Sequence, residues 1–163
     1  MKQTADLDRY QRNMLPGIIT LDGMLGTDTR KLGDILSADH NAVRSLKTTH
    51  RAIAARMRLL RERGADGLGL DVPAADHFHV RVDNVRGKLP CPFEDGIFQK
   101  TFIIVHNDRL DKTIRYTDLH IHMIEAHGFY EGRGSQFRLE PADLVEVLEI
   151  EAEPDNQFPP SDD

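Results

Sequence analysis

Apolar positions along the chain follow two periods in turn. Between residues 27 and 64, Leu32, Ile35 and Leu36, then Val43 and Leu46, then Ile53, Met57 and Leu60 recur at the spacing of helices that bury one face. Thr27, Asp39 and Thr48 stand where N-caps are wanted, and Gly64 follows the last turn as a stop. The pattern predicts three short helices, over 28–36, 40–46 and 49–63. The preceding "MLPGIITLDGMLG", punctuated by Pro and Gly, reads as an irregular arm.

From residue 77 the period becomes two. "HFHVRV" sets Phe78, Val80 and Val82 against His77, His79 and Arg81, as a half-buried strand requires. "FQKTFIIVH" and "KTIRY" flank the turn-prone "NDRLD" and predict a hairpin. Strands are expected over 77–85, 98–106 and 112–117, with a further one at "SQFRL" and a short helix at "PADLVEVL", whose Pro suits a first turn. The expected fold class is α+β: an N-terminal helical segment packed with a small, mainly antiparallel β-sheet and a short C-terminal helix. A single domain should span 1–150, its helical part about 27–64 and its sheet part about 77–150. Acidic, Pro-rich residues 151–163 should form a mobile tail.

Composition narrows the class. Of 163 residues, 39% are hydrophobic and 29% charged, the balance of a soluble globular protein. Neither a signal peptide nor the roughly 18-residue apolar run of a membrane span is expected. The single cysteine, Cys91, suits a reducing compartment, so a cytoplasmic location is expected. Residues 1–65 carry 12 Lys and Arg against 7 Asp and Glu, or +5; the remainder carries 9 against 20, or −11. Two halves docking on each other account for such a split, as does a basic surface for an anionic partner.

"YTDLHIHMIEAHGFYEG" concentrates three of the eight histidines within eight positions. As a helix over 118–127, capped by Thr117 or Asp118 and stopped at Gly128, it puts His122 and Glu125 on one face, with His120 and His127 on the other side. As a strand it projects His120 and His122 together and needs a third metal ligand from elsewhere, which His77 and His79 could supply. Agreement of the caps at both ends favours the helix, in which Glu125 would orient His122. The candidate metal ligands are then His122, His127 and Glu125, completed by Cys91 or by His77 and His79. Imidazole and thiolate suit a divalent transition metal such as zinc or nickel better than magnesium. A His-x-x-x-His zinc spacing is absent, and no motif identifies a reaction.

Other candidates are thinner. Arg133 and Arg138, around the glycines of "FYEGRGSQFR", could meet a phosphate or carboxylate, although the ending of a phosphate-binding loop is missing. Arg51, Arg58 and Arg61 lie within about 80° on one helical face, so residues 39–63 offer an alternative nucleic-acid-binding or protein-interaction module. The acidic second half opposes a polyanion, which makes a small ligand or a protein the better partner; a homo-oligomer is compatible. A His-rich pocket for a divalent metal or small ligand is the function these residues suggest.

"GMLGTDTRKLGDIL", "VRGKLPCPFEDGIFQKT" and "TDLHIHMIEAHGFYEGRGSQFRLEP" together resemble a family of uncharacterised bacterial cytosolic proteins, over most of residues 23–148. The resemblance implies a bacterial soluble protein, no mechanism and no functional residues.

Overall fold

A computed structural model describes residues 3–154. In chain order the elements are α1 (Ala5–Asn13), α2 (Leu32–Ser45), α3 (His50–Ala65), β1 (Val72–Pro73), β2 (Phe78–Pro90), β3 (Ile97–Asn107), β4 (Lys112–Thr117), α4 (Asp118–His127) and α5 (Pro141–Val147). The strands form one antiparallel sheet in the order β1-β2-β3-β4, and the fold class is α+β.

Alternation along the strands decides what the sheet buries. Phe78, Val80 and Val82 of β2, Ile103 and Val105 of β3, and Ile114 and Tyr116 of β4 face one core with Ile53, Met57 and Leu60 of α3. The Tyr116 hydroxyl donates to the Met57 carbonyl at 2.8 Å, so the phenol is buried without an orphaned polar group. Helix α3 lies close on β2 at Gly64, where a Cβ would come within 2.3 Å of Val80 Cγ1. A second core joins α1, the arm after it and α2 to Cys91 and Phe93. Helix α4 lies between the two, giving Ile121 and Ile124 to the first and Leu119 and Met123 to the second. That two-sided burial is why its apolar residues do not fall on one stripe.

Several expectations are corrected. The predicted helices 28–36 and 40–46 are one helix, and Asp39 lies inside it instead of capping a new one. Asp39 is tolerated there because Arg138 pairs with it. Thr49, not Thr48, caps α3, its hydroxyl accepting the Ala52 N–H at 3.0 Å. "SQFRL" forms turns instead of a strand, because Arg138 turns inward to Asp39 and to the Glu131 carbonyl. Helix α1 was not anticipated: its polar sequence buries no residue fully, and a hydroxyl cap from Thr4 marks its start. Residues 14–26 are irregular, as the arm was read. Of the expected tail, 155–163 lies outside the described residues.

The charge asymmetry has a structural counterpart. Arg58 bonds Glu125 at 3.1 Å, Arg61 bonds Asp118 at 2.8 Å, and Arg56 donates to the Leu148 carbonyl at 2.8 Å, so basic α3 docks on the acidic second half.

Candidate metal centre

The segment 118–127 is the helix, and its two ends explain the placement of its histidines. At the start, the Thr117 hydroxyl accepts the His120 N–H at 3.2 Å while His120 Nδ1 accepts the Thr117 N–H at 3.1 Å. Histidine thus takes the carboxylate's usual part in a capping box, and His120 is turned away from the other two imidazoles. At the end, Gly128 adopts φ +63°, and the N–H groups of Gly128 and Phe129 reach back to Ile124 and Met123. A Cβ at Gly128 would stand 2.6 Å from His50 Nε2, so the position needs glycine for space as well as for φ.

The remaining members come from the loop between β2 and β3. Two extra residues on β2 between Val85 and Lys88 break the register with β3, and a bulge of this kind bends the strand that carries it. Cys91 follows directly, between Pro90 and Pro92, and the turn closes with Cys91 N–H to the Gly96 carbonyl and Glu94 N–H to the Cys91 carbonyl, both at 2.9 Å. Helix α1 braces this loop. Asn13 donates to the Pro92 carbonyl at 2.9 Å, Arg9 pairs with Glu94 at 3.0 Å, and Tyr10 packs on Phe93.

Asp95 is the hub. His122 Nε2 lies 2.9 Å from one of its oxygens and His127 Nε2 lies 2.7 Å from the other. The Cys91 thiol lies beside the same carboxylate, its sulfur within 4.8 Å of an Asp95 oxygen. One ligand atom from each of Cys91, Asp95, His122 and His127 lies within 4.8 Å of every other, so the four could hold a metal ion. Around an ion at 2.0–2.3 Å, tetrahedral ligands stand about 3.3–3.5 Å apart, a closure within reach of small side-chain rotations. Aromatic rings fix the imidazole planes: Phe93 stacks on His127 at 4.0 Å and 10°, and Phe98 lies 4.5 Å from His122. Cys91 is buried, and the two histidines are half-buried.

Electrostatics without a cation follow from this packing. Burial pushes the Cys91 thiol up to about 12, aided by its bond to Asp95. Burial also opposes ionisation of Asp95, but hydrogen bonds from Cys91, His122 and His127 outweigh it and hold the carboxyl below its ordinary range. Burial lowers His127 despite Asp95, favouring the neutral imidazole a metal requires.

Of the residues read from sequence, His122, His127 and Cys91 meet here, and Glu125, His77 and His79 do not. Glu125 is held by Arg58, His77 bonds Glu149, and His79 bonds Asp108 at 2.7 Å. The pairing of His122 with Glu125 is therefore corrected to His122 with Asp95: Glu125 lies toward α3, where Arg58 competes for it. Arg138 is engaged by Asp39 and Glu140, and Arg133 is exposed, its backbone N–H given to Asp28 at 3.1 Å. Of the proposed nucleic-acid face, Arg58 and Arg61 are paired with carboxylates, and exposed Arg51 has no carboxylate partner among the described residues.

Asp95 was missed, although the sequence carried a signal. Cys-x-x-x-Asp and His-x-x-x-x-His each fall within the spacings by which hairpin and helix ligand pairs hold structural zinc. A search restricted to a four-residue histidine spacing passes over them.

No protein family, no curated protein and no solved structure matches this chain. Among the described residues, no helix is long and apolar enough to cross a membrane.

Proposed function

We propose that this protein binds one divalent transition-metal ion, zinc fitting best, through Cys91, Asp95, His122 and His127. The observation that carries the reading is the convergence of four different donors from two elements on one point. Both imidazoles are hydrogen-bonded to Asp95 and the thiol lies beside it, so replacing their protons by a cation keeps the arrangement. A thiolate, two imidazoles and a carboxylate match zinc and exclude magnesium as the preferred ion.

The role proposed for the ion is structural. Four protein donors complete a tetrahedron and leave no position for a substrate or an activated water. The ion would clamp the β2–β3 loop, and with it α1, onto the end of α4. The rings of Phe93 and Phe98 would hold the imidazoles in orientation, as the surroundings of metal ligands commonly do. A cytoplasmic setting, where thiols stay reduced, suits the Cys91 ligand.

Cobalt(II) titration tests this. A tetrahedral site with one thiolate gives intense visible bands and a near-ultraviolet sulfur-to-cobalt transition, both saturating at one equivalent. Cys91→Ser should remove the ultraviolet transition. Weak pink octahedral absorption that is the same in wild type and Cys91→Ser would reject the site.

A further inference from the structure

A separate cavity of about 370 Å³ opens between the arm after α1, the bent part of β2–β3 and the start of α4. Its walls are mostly apolar, with Met24, Leu89, Phe102, Leu119 and Met123 among them. Unusually exposed apolar side chains surround it: Phe137 is 47% exposed and Leu21 85%.

The polar groups of the lining fall into two kinds. His120 and Glu131, both buried, are satisfied by the protein itself. Because His120 Nδ1 accepts from Thr117, its Nε2–H donates to Glu131 at 2.5 Å, and Ser135 donates to the other carboxylate oxygen at 2.8 Å. This pair forms a wall and has no free donor for an anion. Lys100 is different. It lines the same cavity, and its ammonium makes no hydrogen bond or ion pair among the described residues. Thr20, also in the lining, has a buried hydroxyl without a partner among the described residues.

An apolar chamber of this size, with one ammonium that has no partner among the described residues, is complementary to a small molecule with an apolar body and one anionic end. We propose that the cavity binds a single-chain carboxylate amphiphile of medium length, its carboxylate at Lys100 and its chain against Met24, Leu89, Phe102 and Met123. The Glu131 carboxylate in the wall sets the orientation, because a second anionic end would meet it. The inference does not rest on the proposed metal centre, since none of its four ligands lines the cavity.

Isothermal titration below micellar concentrations, with decanoate, decanol and butyrate as probes, tests it. Decanoate should bind with one-to-one stoichiometry and about tenfold more tightly than decanol, the factor that about 1.4 kcal/mol of head-group interaction gives. Butyrate should not bind measurably. Lys100→Met should cost decanoate about tenfold and leave decanol unchanged, and Val85→Trp, filling the cavity from an exposed strand position, should weaken both. Absence of saturable decanoate binding, equal affinity for decanoate and decanol in wild type, or indifference to Lys100→Met would overturn the proposal.

Discussion

Replacing Arg138 by methionine separates two roles for that residue, a recognition group for anions or a strut of the fold. Its guanidinium bonds both oxygens of Asp39, at 2.8 and 3.0 Å, and donates to the Glu131 carbonyl at 2.7 Å and to Glu140 at 2.7 Å. The side chains of Arg138 and Asp39 are 9% and 5% exposed, so neither is solvated in the other's absence. Burial opposes the charge on Arg138, yet the bonds to Asp39 and Glu140 raise its pKa above the ordinary value. Arg138→Met leaves the Asp39 carboxylate buried and unpaired, which costs about 3–5 kcal/mol, a large part of the roughly 5–15 kcal/mol that stabilises a domain. At roughly 2–4 °C per kcal/mol for a chain of this length, Tm should fall by about 6–20 °C. The double variant Arg138→Met, Asp39→Leu removes the stranded charge and should recover most of the loss, an interaction energy that a double-mutant cycle by urea denaturation reads directly. An additive cycle would refute the strut, as would a single variant within about 1 kcal/mol of wild type that has lost binding of inorganic phosphate.

Three further outcomes follow from local geometry. Gly128→Ala should lower stability by more than the roughly 1 kcal/mol of an unfavourable φ, because its Cβ must displace His50; chemical denaturation that finds it neutral would contradict the tight cap. Hydrogen bonding to Arg30 above all holds the Asp28 carboxyl well below its usual 3.8, so its stabilising contribution is complete above that value and lost as pH falls through the depressed one. Asp28→Asn should therefore be less stable than wild type at pH 7, and the difference should shrink on acidification; a gap that does not change with pH would contradict the pairing. Since burial keeps the metal-free Cys91 thiol protonated up to about pH 12, zinc must displace its proton, and affinity measured against a chelator should rise about tenfold per pH unit between pH 7.5 and 9. A flat profile would remove Cys91 from the ligand set.

The sequence was most informative where one physical preference acted alone. Strict alternation located β2, the runs flanking the turn-prone "NDRLD" located β3 and β4, and agreement between Thr117 and Gly128 favoured the helix that the histidine segment forms. It misled where tertiary contacts overrode local preference. Asp39 looks like a cap because free aspartates favour that position, yet Arg138, 99 residues away in sequence, keeps it inside α2. Glu125 looks like the partner of His122 by helical spacing, but Arg58 of another helix takes it. Three of the four residues of the candidate centre were legible as residue types in the right neighbourhood. Its hub was not, because Asp95 is an ordinary acidic loop residue until the bulge in β2 and the bracing by α1 bring the loop to α4.

Metal content tests the central claim most directly. Protein produced without a histidine tag, dialysed and measured by elemental analysis should carry about one equivalent of zinc. A His122→Ala, His127→Ala double variant and an Asp95→Ala variant should each lose it while retaining the wild-type circular dichroism. Substoichiometric metal in wild type, or one equivalent that survives these substitutions in folded protein, would contradict the account and leave Asp95 as a hydrogen-bond acceptor for two imidazoles.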